Sequence, residues 1–177
     1  IAGESTIASN RLASRRGPFP FFKASLWDKK NLLQRNATTT TIAPTGTLSI
    51  LAGTSSGIEP LYDTVYKRLL LGGIEVEVED PLWREIKDSP GAEESFRRLF
   101  RTAYAVAPQA HLKIQKIFQD SVDNAVSKTI NLPETATVED ILNIYGEANR
   151  MGLKGTTVFR DRSRAHQILS CGIHQTC

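Results

Sequence analysis

Cysteine is scarce in this chain of 177 residues, which has two, Cys171 and Cys177, both close to its end. A disulfide framework therefore does not hold the domain together. Long apolar runs are also missing, since none approaches the ~18 residues that a membrane span needs. The first residues lack the basic-then-apolar pattern of a secretory signal. We therefore expect a cytoplasmic protein that does not engage a membrane.

The chain also lacks a strong excess of either charge. It carries 22 Lys and Arg against 19 Asp and Glu, a formal net charge of +3 that is spread along the sequence. Such a mild excess predicts no nucleic-acid partner. The 40% hydrophobic content is ordinary for a globular domain, and a chain of this length can bury a real core. The first residue is Ile1 rather than Met, which predicts a piece of a longer polypeptide or a trimmed product.

The C-terminal third of the chain has the pattern of a strand, a helix and a second strand. Residues 127–132 and 155–159 read as strands, and residues 138–148 between them carry a helical apolar stripe. Thr137 and Asp140 resemble a capping box at the start of that helix. Two strands joined by one helix form a βαβ unit, whose strands should be parallel. The fold class is therefore predicted to be α/β.

Other elements follow from local patterns. Pro108 suits the first position of a helix, which should run to about residue 122 with an apolar face formed by Ile114, Ile117, Phe118, Ser121 and Val122. His111 in this helix and His166 are interpreted as surface groups. The remaining predictions are helices at residues 4–16, 81–87 and 92–105, a strand at 37–42, and an edge strand at 74–79.

The segment after the strand at 37–42 has the composition of an anion-binding loop. It reads Pro44-Thr45-Gly46-Thr47-Leu48-Ser49 and leads into a short helix. The N–H groups and dipole of a helix N-terminus attract anions, Gly46 permits close approach, and the hydroxyls of Thr45, Thr47 and Ser49 add donors. The alternative is that Thr45 or Thr47 merely caps the helix while Gly46 supplies an unusual backbone angle. The spacing matches neither a Walker loop nor a dinucleotide fingerprint.

Two other clusters of polar residues have competing interpretations. Cys171, His174 and Cys177 could form a dithiol relay or a three-ligand metal clip, or could be incidental, and their spacing fits no strong zinc pattern. Residues 74–79 alternate aliphatic and Glu residues. The Glu carboxylates would share one face of a strand, where mutual repulsion favours a solvated face over a catalytic or metal site.

Four segments, in two pairs, resemble a known family. Residues 35–47, which end in Ile-Ala-Pro-Thr-Gly-Thr, and residues 55–60, Ser-Ser-Gly-Ile-Glu-Pro, resemble the large catalytic subunit of ribonucleotide reductases. Residues 123–133 and 152–161 are similar to its adenosylcobalamin-dependent (class II) branch. The resemblance covers most of residues 1–164, and residues 72–106 are the least family-like.

The resemblance implies a fold, an activity and a set of partners. Residues 1–164 would form the C-terminal part of a ten-stranded α/β barrel made of two half-barrels, and residues 165–177 a tail. The complete enzyme would reduce ribonucleotides, expected to be diphosphates, to deoxyribonucleotides by thiyl-radical chemistry. Its partners would be the ribonucleotide, the rest of the large subunit and a thioredoxin-like dithiol reductant. The substrate phosphates would lie at Pro44, Thr45, Gly46, Thr47 and Ser49.

The departures from the family pattern are also informative. The family's radical cysteine lies in an Asn-x-Cys-x-Glu pattern, which neither Cys171 nor Cys177 has. No catalytic residue is therefore expected in this chain, and the radical cysteine is expected upstream of Ile1, so the isolated chain should be inactive. Class I relatives carry two adjacent tyrosines in the strand that here reads Thr156-Thr157-Val158-Phe159. Their absence favours adenosylcobalamin as the radical source.

The sequence leaves open the role of the tail cysteines and the function of the chain. In the family, a C-terminal cysteine pair re-reduces the active site by thiol exchange, and Cys171 and Cys177 form a possible redox tail of this kind, although their spacing is wider. The alternative function is a non-catalytic module that binds nucleotide phosphate or completes the barrel. Half a barrel would expose sheet edges, so a homo-oligomer is expected for the isolated chain.

Overall fold

The computed structural model describes residues 1–69 and 73–164, together with the backbone of residues 169–170. Within those residues, no helix is both long and apolar enough to cross a membrane. The elements in chain order are α1 (Ala2–Arg16), α2 (Leu26–Lys29), α3 (Gly46–Ala52), β1 (Val65–Leu69), β2 (Glu75–Glu79), α4 (Pro81–Ile86), α5 (Ala92–Leu99), α6 (Pro108–Gln119), β3 (Thr129–Leu132), α7 (Val138–Arg150), β4 (Thr157–Arg160) and β5 (Leu169–Ser170).

The predicted βαβ unit is present as β3, α7 and β4. The two strands pair in parallel, with Ile130 opposite Val158. The capping box at the start of α7 is also confirmed, because Thr137 Oγ1 accepts the Asp140 N–H at 3.2 Å and the Asp140 carboxylate accepts the Thr137 N–H at 2.8 Å. Local sequence signals were sufficient for this unit, since the cap, the apolar stripe and both strands agree.

The main hydrophobic core lies between this unit and helix α6. Its buried members are Leu112, Ile130, Leu132, Ile144 and Ala148. A second, smaller cluster joins Val65 of β1 to Trp83 of α4. The described strands form one parallel pair, β3 and β4, and one antiparallel sheet in the order β2-β1-β5, so this part of the chain does not close a barrel.

Helix α6 begins at Pro108 as predicted, but its buried face is different from the predicted one. Ile114, Ile117 and Phe118 are 43%, 62% and 38% exposed, whereas the buried residues are His111, Leu112, Gln115 and Gln119. The Gln115 amide donates to the carbonyls of Val126 at 2.9 Å and Gly155 at 2.6 Å. Polar side chains therefore occupy the buried face because they satisfy backbone carbonyls that the strands leave unpaired.

The interpretation of His111 as a surface group is wrong. Its side chain is 1% exposed, and its Nε2 atom lies 3.1 Å from the Ala103 carbonyl oxygen. Burial lowers the pKa of His111, and the neighbouring positive charge of Lys128 lowers it further. His111 is therefore a neutral core residue under ordinary conditions.

Two predicted elements are shorter than expected. Of the strand predicted at 37–42, only Ile42 forms a bridge, with Val126 in parallel. The Asp123 carboxylate accepts the N–H groups of Thr39 at 2.7 Å and Thr40 at 3.2 Å, while the carbonyls of Thr40 and Ile42 accept backbone N–H groups, so the segment makes an irregular connection rather than a full strand ladder. The helix predicted at 92–105 ends at Leu99, and Thr102 further along pairs with Leu61.

The edge strand predicted at 74–79 is confirmed as β2, which pairs with β1 in antiparallel register. Its carboxylates contact cations rather than one another. Glu75 pairs with Lys67 at 2.9 Å, and Glu79 pairs with Lys87 at 2.8 Å and Arg84 at 3.0 Å. In the part of the chain that can be described, no group of three acidic, His or Cys side chains could hold a metal ion. On the other edge of β1, Leu169–Ser170 lies in the segment predicted to be a tail.

Candidate phosphate-binding site

Helix α3 begins at Gly46, at the centre of the predicted phosphate loop. Thr45 occupies the N-cap position, but its side chain makes no capping hydrogen bond to α3. Its Oγ1 atom instead accepts the Gly57 N–H at 3.1 Å. The alternative that Thr45 caps the helix is therefore wrong. Because this hydroxyl accepts no hydrogen bond from the first turn of α3, it does not compete with an anion for the N–H groups of that turn.

The other predicted phosphate ligands differ in exposure. Ser49 is 8% exposed, and its Oγ atom donates to the Gly46 carbonyl at 2.9 Å, within the helix itself. Pro44 and Thr47 are exposed. Of the five predicted ligands, Gly46 and Ser49 line a cavity, whereas Pro44, Thr45 and Thr47 do not.

The cavity has a volume of about 610 Å³, which lies within the range of small-molecule sites. It is bounded by α3, the loop that follows α3, the β1–β2 ribbon, the start of α4 and the start of β3. Its lining includes Gly46, Ser49, Glu59, Tyr62, Arg68 and Asn131. The site is therefore assembled from segments that are widely separated in sequence.

Arg68 is a cavity residue that the sequence analysis did not identify. It lies on β1 and is half-buried. Its Nη2 atom is 3.6 Å from the point that a Cβ on residue 46 would occupy, so the guanidinium faces the first residue of α3. Burial raises the pKa of the neighbouring Tyr66, and the positive charge of Arg68 opposes that rise. A fixed cation and a helix N-terminus thus face the same space.

No local signal could have identified Arg68. The residue before it, Lys67, has the same charge and points to the surface, where it pairs with Glu75. Alternation along a strand places neighbouring side chains on opposite faces, but it does not say which face a cavity will occupy. That choice is made by the packing of β1 against α4, through Val65 and Trp83.

Glu59 and Lys128 belong to the family-like segments, but nothing in the sequence was a reason to assign a role to either of them. Both Glu59 oxygens are engaged: Oε1 accepts the Thr129 N–H at 2.6 Å, and Oε2 accepts from the Lys128 ammonium. The Lys128 side chain is 1% exposed. Burial lowers the pKa of Lys128, and the Glu59 carboxylate opposes that shift.

Tyrosines form the aromatic wall of the cavity. The rings of Tyr62 and Tyr66 contact edge to face with centroids 5.4 Å apart, and those of Tyr62 and Tyr104 with centroids 5.8 Å apart. The two hydroxyls of Tyr62 and Tyr104 lie 3.5 Å apart. Burial, and then the contact with Tyr104, raise the pKa of Tyr62 far above its usual value. These phenols are therefore neutral and add no negative charge to the cavity.

Several residues singled out by sequence lie outside the part of the chain that is described. They are Cys171, Cys177, His166 and His174. The strand expected to lack the tyrosine pair is β4, in which Phe159 lies opposite Asn131 of β3.

Comparisons with known proteins agree on the family. The model of the ribonucleotide reductase barrel domain matches residues 30–159. The vitamin B12-dependent ribonucleoside-diphosphate reductase of Thermoplasma acidophilum is 40% identical over 99% of this chain and 26% of its own length. The enzyme of that name from Mycobacterium tuberculosis is 40% identical over 92% of this chain and 26% of its own length.

A solved structure supports the same fold. The class Id ribonucleotide reductase alpha subunit of Actinobacillus ureae superposes with a TM-score of 0.63 at 20% identity, over 91% of this chain and 32% of that one. The chain thus spans about a quarter of the length of the curated relatives. These matches confirm the resemblance and the fold class that the sequence predicted. Because the family model covers well over half of its residues, the chain belongs to the ribonucleotide reductase barrel-domain family.

Proposed function

We propose that this chain is a section of an adenosylcobalamin-dependent reductase that converts ribonucleoside diphosphates to deoxyribonucleotides. The proposal rests on two relatives that are named vitamin B12-dependent ribonucleoside-diphosphate reductase and are 40% identical to this chain. Because the chain spans 26% of their length, turnover belongs to the full-length enzyme and the isolated section is inactive. Within that enzyme, residues 44–49 hold the substrate phosphates.

The observation that carries the phosphate assignment is the arrangement of Gly46 and Arg68. The first residue of α3 faces a guanidinium in the wall of a cavity of about 610 Å³. An oxyanion placed there would meet backbone N–H groups of the first helical turn and a charge-assisted hydrogen-bond donor. Absence of a side chain at position 46 lets a phosphate approach the backbone closely. Asn131 and Thr129, which also line the cavity, offer polar groups to the rest of the nucleotide.

The section's contribution is binding and orientation rather than bond cleavage. Fixing the phosphates fixes the position of the ribose relative to the radical cysteine, which the family resemblance assigns to another part of the enzyme. Neutral tyrosines add no negative charge to the cavity, and the lining carboxylates of Glu59 and Glu79 are each paired with a cation. Glu77 and Asp80 also line the cavity, so the proposed attraction for the phosphates is local to Arg68 and the start of α3.

Adenosylcobalamin supplies the initial radical when bound, because homolysis of its cobalt–carbon bond is the hard step of this chemistry. Among the described residues, the one histidine is His111, which is 1% exposed and has its Nε2 atom 3.1 Å from the Ala103 carbonyl oxygen, so it would not be a ligand to the cobalt.

The proposed partners follow from the same assignment. They are the ribonucleotide, the remainder of the large subunit and a thioredoxin-like dithiol reductant. Cys171 and Cys177 are proposed as the tail that passes reducing equivalents from that reductant to the active site by thiol exchange.

The test is reduction of a ribonucleoside diphosphate by the full-length reading frame that contains this chain. The assay contains a dithiol reductant and is run with and without adenosylcobalamin. Product that depends on adenosylcobalamin is the expected result. Absence of product with any radical source, combined with retained nucleotide binding, would favour the non-catalytic phosphate-binding module instead.

A further inference from the structure

Lys128 is a buried cation that the phosphate assignment does not use. Its side chain is 1% exposed, and lysine is rarely buried to this extent unless it is paired. Its partner, Glu59, lines the cavity and is 25% exposed at the side chain. We propose that Glu59 and Lys128 form a positioning pair that fixes the phosphate-binding loop against β3 and in which the ammonium compensates the Glu59 carboxylate at the cavity. This inference rests on the proposed function.

The pair joins two segments that are 69 positions apart in sequence. On the β3 side, Glu59 accepts both the Lys128 ammonium and the Thr129 N–H, the latter at 2.6 Å. The same ammonium donates to the Thr129 carbonyl at 3.2 Å. Glu59 is therefore fixed at the first residue of β3, the strand that supplies Thr129 and Asn131 to the cavity wall.

On the other side, short contacts lead from Glu59 to the phosphate-binding loop. The Glu59 N–H donates to the Ser56 carbonyl at 2.9 Å, and the Gly57 N–H donates to Thr45 Oγ1 at 3.1 Å. Gly57 has a φ of +56°, and a Cβ there would lie 3.5 Å from the Ala43 carbonyl oxygen, so the chain passes close to the loop. A shift of Glu59 would therefore displace Thr45 and, with it, the start of α3.

The charge of the pair has a second consequence. Glu59 faces the same cavity as Gly46 and Arg68. While Lys128 is present, its ammonium compensates the Glu59 carboxylate. Without that ammonium, the Glu59 carboxylate would add an uncompensated charge to a cavity that Glu77, Glu79 and Asp80 also line, and would repel the phosphates through a medium of low dielectric. Loss of Lys128 is therefore expected to weaken nucleotide binding even where the fold survives.

The test uses the full-length reductase and compares KM with kcat for a ribonucleoside diphosphate. Lys128→Met is expected to raise KM about tenfold while kcat changes less than about threefold, because ground-state positioning is lost. Lys128→Arg, which retains the charge, is expected to restore KM to within about threefold of the parent. The matched control is Lys116→Met, which breaks an exposed pair with Asp120 on α6 and should leave both constants unchanged.

Glu59→Gln keeps the proposal testable if Lys128→Met does not fold. The amide still accepts the Thr129 N–H but loses the attraction for Lys128, so a KM increase of about threefold or more is expected. A folded Lys128→Met or Glu59→Gln enzyme with a lower melting temperature and an unchanged KM would overturn the positioning role.

Gly46→Asp separates this inference from the proposed function. If Gly46→Asp raises KM and the pair variants do not, only the positioning pair fails. If no variant changes KM, the phosphate assignment fails as well.

Discussion

Arg68 faces Gly46 in the cavity lining, with the guanidinium Nη2 3.6 Å from the point that a Cβ on residue 46 would occupy. The relationship joins the start of α3 to the middle of β1. It makes the anion site depend on two segments, one of which has the family motif and one of which does not. Changes at these two positions should therefore affect nucleotide binding in a similar way.

Gly46→Asp should weaken nucleotide binding in the full-length enzyme by about tenfold or more, because like charges brought together at a binding site cost several kcal/mol. The new carboxylate would lie against the phosphates and would also draw Arg68 towards itself. Equilibrium binding of a ribonucleoside diphosphate measures the effect. Gly3→Asp is the control, since a side chain there meets nothing within 4 Å. Unchanged affinity in Gly46→Asp would remove the role assigned to the loop.

Arg68→Gln should weaken binding of the same nucleotide by about tenfold, the value of one lost charge-assisted hydrogen bond. The affinity of the parent enzyme should also fall more steeply with salt than that of the variant, because one cation no longer contributes. Lys67→Gln is a matched control on the same strand, as Lys67 pairs at the surface with Glu75. Equal effects of Arg68→Gln and Lys67→Gln would mean that binding responds to the net charge of the enzyme and not to the position of Arg68.

Much of the fold could be predicted from sequence, because several local signals agreed. The βαβ unit had a capping box, an apolar stripe and two β-branched strands. The apolar face predicted for α6 was wrong. Periodicity counts apolar residues, whereas packing there buries Gln115 and Gln119 because they donate to backbone carbonyls in the segments that lead into β3 and β4. That choice depends on where the strand ends lie, which no window of sequence contains.

The loop of the candidate site could be predicted from the sequence, but the residues that surround the loop could not. Gly46 follows from composition and from the family-like motif. Arg68, Glu59 and Lys128 reach the cavity only through long-range packing, and Glu59 lies 69 positions from its partner. Charged residues in such segments look like surface residues until the fold brings them together. For Thr45 the residue type is misleading. A Thr before a helix is typical of an N-cap, but the Thr45 hydroxyl accepts the Gly57 N–H instead.

Gln115→Leu should destabilise the enzyme by about 2 kcal/mol, because the buried carbonyls of Val126 and Gly155 would lose their donor. A leucine of similar size fills the space, so the effect is one of hydrogen bonding rather than of a cavity. Denaturant unfolding of the full-length enzyme, followed by a probe in this section, measures it. Ile114→Ala on the exposed face of α6 should change stability by less than about 0.5 kcal/mol. A neutral Gln115→Leu would contradict this account of the buried face.

Asp123→Asn should lower stability near neutral pH, with an effect that disappears in acid. Although burial opposes it, the hydrogen bonds from Thr39 and Thr40 lower the pKa of the Asp123 carboxyl. A group whose folded-state pKa is depressed stabilises the protein above its unfolded pKa of about 4, and that contribution is lost as the pH falls through the folded pKa. Melting temperatures of parent and variant should therefore differ near pH 7 and converge at low pH. A difference that persists unchanged in acid would show that the carboxylate charge is not involved.

The isolated chain should associate in solution because several faces are apolar and uncovered. Ile117 on α6 is 62% exposed and Leu51 on α3 is 80% exposed, and β2 is an edge strand of the sheet that the described residues form. Exposed apolar surface and free strand edges both favour contact between copies. Light scattering of the purified chain should show oligomers, and the double variant Ile117→Lys with Leu51→Lys should shift the distribution towards monomer. Glu134→Lys, at an exposed position that pairs with Arg162, is the control for added charge and should not produce that shift. A monodisperse monomer of the parent chain would mean that these faces are compatible with water and do not require the remainder of the barrel.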